Sequence, residues 1–103
     1  MFQCRFSIIA NDLDRRKKWR FAEQFQSAVL GISNNMAEGS GGVSDNDFAY
    51  FLNIARWSIF KVASMLVVFH RSNLIPERPK DLLAELVELS KMTQAFRNTL
   101  KNR

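Results

Sequence analysis

Phe48, Leu52, Ala55, Ile59, Val62, Leu66 and Phe69 are spaced alternately four and three residues apart. That spacing is the seam of a helix packed lengthwise on its neighbours. The same segment carries more apolar residues than one seam uses. Tyr50, Phe51, Ile54, Trp57, Phe60, Val67 and Val68 lie off the stripe, and Asn53, Arg56 and Lys61 are its main polar positions. A helix that is apolar nearly all round is either central to its domain or faces a second chain. With 103 residues in total, the chain has little else with which to enclose it. The pattern therefore predicts a homo-oligomer, with Phe51, Trp57, Phe60, Val67 and Val68 as the candidate interface.

Two more helices follow from the same spacing, and a short first one is expected from an apolar stretch with little clear period. Trp19, Ala22, Phe25, Val29, Ile32 and Met36 share one stripe, as do Leu82, Leu86, Leu89, Thr93, Phe96 and Leu100. Phe2, Phe6, Ile8 and Ile9 give a short first helix, with turn chemistry at residues 11–14 behind it. The expected helices span roughly residues 2–10, 15–38, 45–72 and 79–102. Gly31 costs the second helix about 1 kcal/mol against alanine, and close approach of a neighbouring helix is one reason to keep it. Gly39, Gly41 and Gly42 are expected to end that helix in the left-handed conformation glycine tolerates. Ser44 is placed to cap the next helix by accepting the free backbone N–H three residues on. Residues 73–76 close that helix, and Pro76 and Pro79 mark the connection to the last one. No useful strand-like alternation exists. The fold class is all-α, and residues 1–103 form a single domain.

Composition narrows the function. Apolar residues make up 47% of the chain, yet no stretch approaches the ~18 uncharged apolar residues of a membrane span. No membrane partner is expected. Arg5, Asp12 and Asp14 do not suit a secretory signal, and a lone Cys4 makes no intramolecular disulfide, so cytoplasmic residence is the default. The formal net charge of +5 permits binding to nucleic acid or acidic partners through long-range attraction. Arg15, Arg16, Lys17, Lys18 and Arg20 form one basic concentration, and Lys91, Arg97, Lys101 and Arg103 the other. With Trp19 and Phe21 beside it, the first group is the candidate surface for RNA or DNA: cations neutralise phosphates and an exposed aromatic stacks on bases. The competing reading is a solvated face, with Trp19 inside the core stripe.

Catalytic chemistry finds no constellation. The only histidine, His70, ends a helix, where it complements the helix dipole. There is no metal-ligand cluster, and no cofactor is expected. Residues 39–42 have no preceding strand and no following lysine, so they read as a helix corner and not as a phosphate loop. Asn34, Asn35 and Glu38 interrupt the apolar stripe before that corner. They are expected to hydrogen-bond its exposed backbone groups. Their alternative role is a small-ligand or enzymatic site, and a scaffold without ligand is a third reading.

Residues 25–39, FQSAVLGISNNMAEG, are similar to an "AAxSIxxNIAEG" signature. Ser44, Phe48, Phe51, Leu52, Ile54, Ala55, Arg56 and Ser58 resemble a following "SxxEFxxFLxIARxS" segment. Together they resemble the four-helix bundle family named for proteins encoded in intervening sequences of bacterial 23S ribosomal RNA genes. The resemblance covers about residues 19–75. It implies an antiparallel up-and-down left-handed four-helix bundle that assembles into homo-oligomers, often pentamers. Most members of that family have no established biochemical activity, and the chain is expected not to be an enzyme. A distant branch, accessory to diversity-generating retroelements, works with nucleic acid and a reverse transcriptase. Three features depart from the pattern. The first helix is short or truncated, Trp57 replaces a small residue, and Lys61 stands where an acidic residue is common.

Overall fold

The computed structural model describes residues 2–42, 44–75 and 79–103, with side chains from Phe6 onward. The Cys4 side chain, Val43 and Pro76 therefore lie outside the described residues. Four helices make up the fold: α1 (Phe2–Arg15), α2 (Trp19–Ser40), α3 (Asp45–Arg71) and α4 (Lys80–Lys101). No strand is present among the described residues. Each helix packs on the next in sequence, in a body of 47 × 22 × 21 Å. The α3 helix alone runs about 40 Å at 1.5 Å per residue, nearly the full length.

Pairings along α2 and α3 run in opposite directions. Phe21 meets Phe69 with ring centroids 6.0 Å apart, Gly31 faces Ser58, and Gly39 lies against Phe48 and Phe51. The main core joins all four helices through Phe6, Leu13, Phe25, Ile32, Ile59, Leu66 and Leu86, with Ile75 from the connection. A second, smaller core of Ala49, Leu52 and Leu100, with Met36 and Phe48 against it, closes the other end. With 14 residues, α1 is the shortest helix, about half as long as α3.

The seam predicted for α3 is buried at Leu52, Ala55, Ile59, Val62, Leu66 and Phe69, while Phe48 is half-buried. Ser44 has extended backbone and its Oγ accepts the Asp47 amide at 3.1 Å. By length and composition alone α3 is long and apolar enough to cross a membrane. Arg56 and Lys61 interrupt it, and its inward face is packed among the protein's own helices.

Two expectations are corrected. The turn placed at residues 11–14 is helical, because Phe6, Ala10 and Leu13 form a buried stripe that carries α1 on to Arg15. Burial of Leu13 outweighs the local turn preference of Asn11, Asp12 and Asp14. None of the described glycines takes the left-handed conformation. What Gly39 supplies is absence of a side chain. A Cβ there would stand 2.8 Å from the Phe51 Cβ and 2.9 Å from the Phe48 Cδ1.

That contact predicts a sign. Alanine favours a helix over glycine by about 1 kcal/mol, but overpacking costs about 1–3 kcal/mol. Gly39→Ala is therefore expected to destabilise the fold in urea denaturation. Gly41→Ala is the control, since its added Cβ meets nothing closer than 3.7 Å. It is expected to stay within about 0.5 kcal/mol of the parent.

Candidate nucleic-acid interface at the α1–α2 corner

Three residues, 16–18, reverse the chain between α1 and α2. The Lys18 amide donates to the Leu13 carbonyl at 2.8 Å and the Lys17 amide to the Asp14 carbonyl at 3.0 Å. This is a Schellman closure, which requires a left-handed residue at its centre. Lys17 occupies that position, with φ of 61°. At the end of α3 the same closure recurs. Leu74 and Asn73 amides donate to the Phe69 and His70 carbonyls, and Asn73, at φ 60°, takes the left-handed position. Asparagine tolerates that conformation better than lysine does.

The five basic residues of the corner divide into two groups. Asp12 pairs with Arg15 at 3.4 Å and Arg16 at 3.2 Å. The Arg16 Nη1 also donates to the Leu74 carbonyl at 3.2 Å, tying the corner to the turn after α3. Such exposed ion pairs contribute at most about 1 kcal/mol. Lys17, Lys18 and Arg20 are exposed and have no ion-pair partner among the described residues. The fold brings Arg71, ending α3, and Lys80, opening α4, to the same end of the bundle. The second basic concentration lies toward the opposite end, where Arg103 pairs with Asp45 at 3.4 Å.

Trp19 is 63% exposed, although the stripe placed it in the core. It is the first residue of α2, at the end of the bundle. An open depression of about 690 Å³ between α2 and α3 continues the charge along the side. Arg20 and Lys61 line it, together with Glu23, Gln24, Ser27 and Met65.

The corner is locally unfavourable as a turn. Lys17 holds a conformation that costs a non-glycine residue roughly 1–2 kcal/mol. Lys18 is the N-cap of α2, where it makes no side-chain capping bond and no acid stands in the first turn. Lys18 and Arg20 both sit at the positive end of the helix dipole, which disfavours cations by about 0.3–1 kcal/mol. Functional sites are where proteins commonly break such local rules.

The polar corner behaves differently from its sequence reading. Asn35 donates through Nδ2 to the Gly31 carbonyl at 2.6 Å, one turn back in its own helix. Asn34 and Glu38 are exposed, and the three groups do not converge. Ser40 Oγ and the Gly41 amide, both donating to the Ala37 carbonyl, hold the turn instead, with the Gly42 amide donating to Gly39. Serine's habit of bonding a carbonyl three residues back was the signal available for this.

Of the candidate interface residues on α3, Trp57, Phe60, Val67 and Val68 are exposed, Trp57 to 66%. Phe51 departs from them. It is half-buried, its Cβ faces Gly39, and Tyr50 takes the outward place beside it. On the helix wheel Tyr50, Trp57, Phe60, Val67 and Val68 lie opposite the buried seam.

The model of one family, the 23S rRNA-intervening sequence protein, matches residues 2–95. The chain belongs to that family. No curated protein and no solved structure matches it. In this family member α2 and α3, which carry the corner and the apolar face, lie wholly inside the matched region.

The strained corner carries a stability prediction. Lys17→Gly is expected to raise unfolding stability by about 1 kcal/mol, by relieving the left-handed lysine. Lys18→Asp is expected to add about 1 kcal/mol by supplying the missing cap. Both are read as shifts of the urea midpoint at unchanged slope.

Proposed function

We propose that this family member is a non-enzymatic, homo-oligomeric interaction module that binds RNA or DNA on its basic end. The observation that carries the reading is the run Lys17, Lys18, Trp19 and Arg20. Three cations without an ion-pair partner among the described residues and an exposed indole stand in a corner where each cation works against local stability. A patch of this kind attracts polyanions and contributes counterion release on binding. No specific observation favours the alternative of a small-ligand or enzymatic site at Asn34, Asn35 and Glu38. Asn35 is occupied by its own helix and the other two side chains face solvent.

Self-association is proposed through the outward face of α3. Exposed contiguous apolar stripes of this kind mark association surfaces. From Tyr50 to Val68 the stripe is ~27 Å long, and at ~10 Å wide it offers ~270 Å² per subunit, whereas a stable interface takes roughly 800 Å² from each partner. Flanking positions on α2 or α4 must therefore take part, and exposed Val87 of α4 is one such position. The subunit number proposed from the family is five.

Two measurements test these halves separately. In titrations of labelled RNA and duplex DNA at two salt concentrations, the parent is expected to bind with strong salt dependence. Lys17→Glu with Lys18→Glu is expected to weaken binding and flatten the salt slope by about one unit per lost phosphate contact. Absence of binding at low salt would end the nucleic-acid half. By light scattering, the parent is expected to be an oligomer and Trp57→Lys with Val68→Lys a smaller species. A monomeric parent would remove the assembly half.

A further inference from the structure

We infer that the corner takes single-stranded nucleic acid, with a base stacked on the Trp19 indole and the strand led toward the groove between α2 and α3. This rests on the nucleic-acid reading above and adds the substrate class.

Trp19 is 63% exposed, about as open as Trp57 on the outward face of α3, and it alone of the two stands among the basic residues of the corner, while the neighbouring Phe21 is engaged edge-on with Phe69. An indole with an open face binds unpaired bases, whose own faces are free; in a duplex those faces are already stacked. Lys18 and Arg20 flank Trp19 in sequence and lack ion-pair partners among the described residues, so phosphates on either side of a stacked base have a cation to meet.

The direction of the strand follows from the groove. Arg20 lies both at the corner and in the α2–α3 depression, and Lys61 lines that depression farther along α3. Only Glu23 opposes them there. Duplex recognition, by contrast, uses an element that enters a groove and presents side chains to base edges. The corner is a three-residue reversal between two helices, with lysines and an indole at its tip. RNA and DNA single strands share the stacking and the phosphate chemistry, so both are arms of the test.

The test uses fluorescence anisotropy with labelled single-stranded RNA, single-stranded DNA and duplex DNA, each roughly 12 nucleotides or base pairs long. A Trp57→Phe chain leaves Trp19 as its one tryptophan. Both single strands are expected to bind more tightly than the duplex at equal salt and to quench Trp19 emission. Trp19→Ala is expected to lose about tenfold in single-strand affinity, Trp19→Phe to retain most of it, and Lys61→Glu to weaken it further. Circular dichroism checks that each variant keeps its helices. Duplex binding equal to single-strand binding, or unmoved affinity in Trp19→Ala, overturns the inference while leaving the nucleic-acid reading in place. Binding to vesicles of anionic lipid with none to any oligonucleotide overturns both.

Discussion

Phe25 is the joint on which the arrangement depends. Its ring meets Phe6 of α1 at 5.6 Å and Phe69 of α3 at 5.7 Å, in tilted and edge-on geometries that suit aromatic quadrupoles. Phe69 in turn packs against Phe21, and its carbonyl accepts the Leu74 amide that ends α3. Leu74 then accepts the Arg16 guanidinium from the corner. One chain of contacts thus fixes three helices, the turn after α3 and the basic corner to each other. The corner can carry unfavourable residues because its position is set by the core beneath it and not by its own turn chemistry.

The other half of the bundle is held by closeness. Gly31 against Ser58 and Gly39 against Phe48 and Phe51 let α2 and α3 approach along their length. Short side chains at Ala49, Ala55, Ser90 and Thr93 continue this on the buried faces of α3 and α4. Dispersion attraction falls steeply with a gap of even half an ångström, so close backbones gain contact that larger, looser side chains would forfeit. Where α1 no longer covers α2, Phe48 and Phe96 close the end with rings 5.2 Å apart, and Phe96 stays half exposed.

Helix existence was legible because burial here has a strict period. Leu52 through Phe69 could be read directly, and so could the Ser44 cap, which depends on a residue three positions away. The end of α1 was not legible: Asn11, Asp12 and Asp14 signal a turn locally, and only Leu13 meeting the core overrules them. Trp19 fits a core stripe by spacing, but spacing does not reveal where the bundle stops. Gly39 was read as a conformational residue when its role is steric, a difference that needs the facing helix. Of the candidate site, the charge was visible in sequence. The pairing of Asp12 with Arg15 and Arg16, and the arrival of Arg71 and Lys80 at the same end, required the fold.

The two surfaces proposed for function adjoin along α3, where Lys61 of the groove lies one turn from Trp57, but the basic corner itself sits at one end of the bundle, and that placement has a consequence for affinity. The apolar face runs along α3, while the free cations sit at the end of the bundle. Copies arranged side by side around an axis parallel to α3 would place every basic end on the same rim. A single strand held at one corner would then meet the next corner at a high effective concentration, and weak individual contacts would multiply into avidity. An antiparallel pair would instead set the basic ends about 47 Å apart, at opposite tips. A corner with three free cations binds weakly alone. On the proposed function, the parallel arrangement is the one in which local sacrifice of stability at residues 17–20 would yield substantial binding.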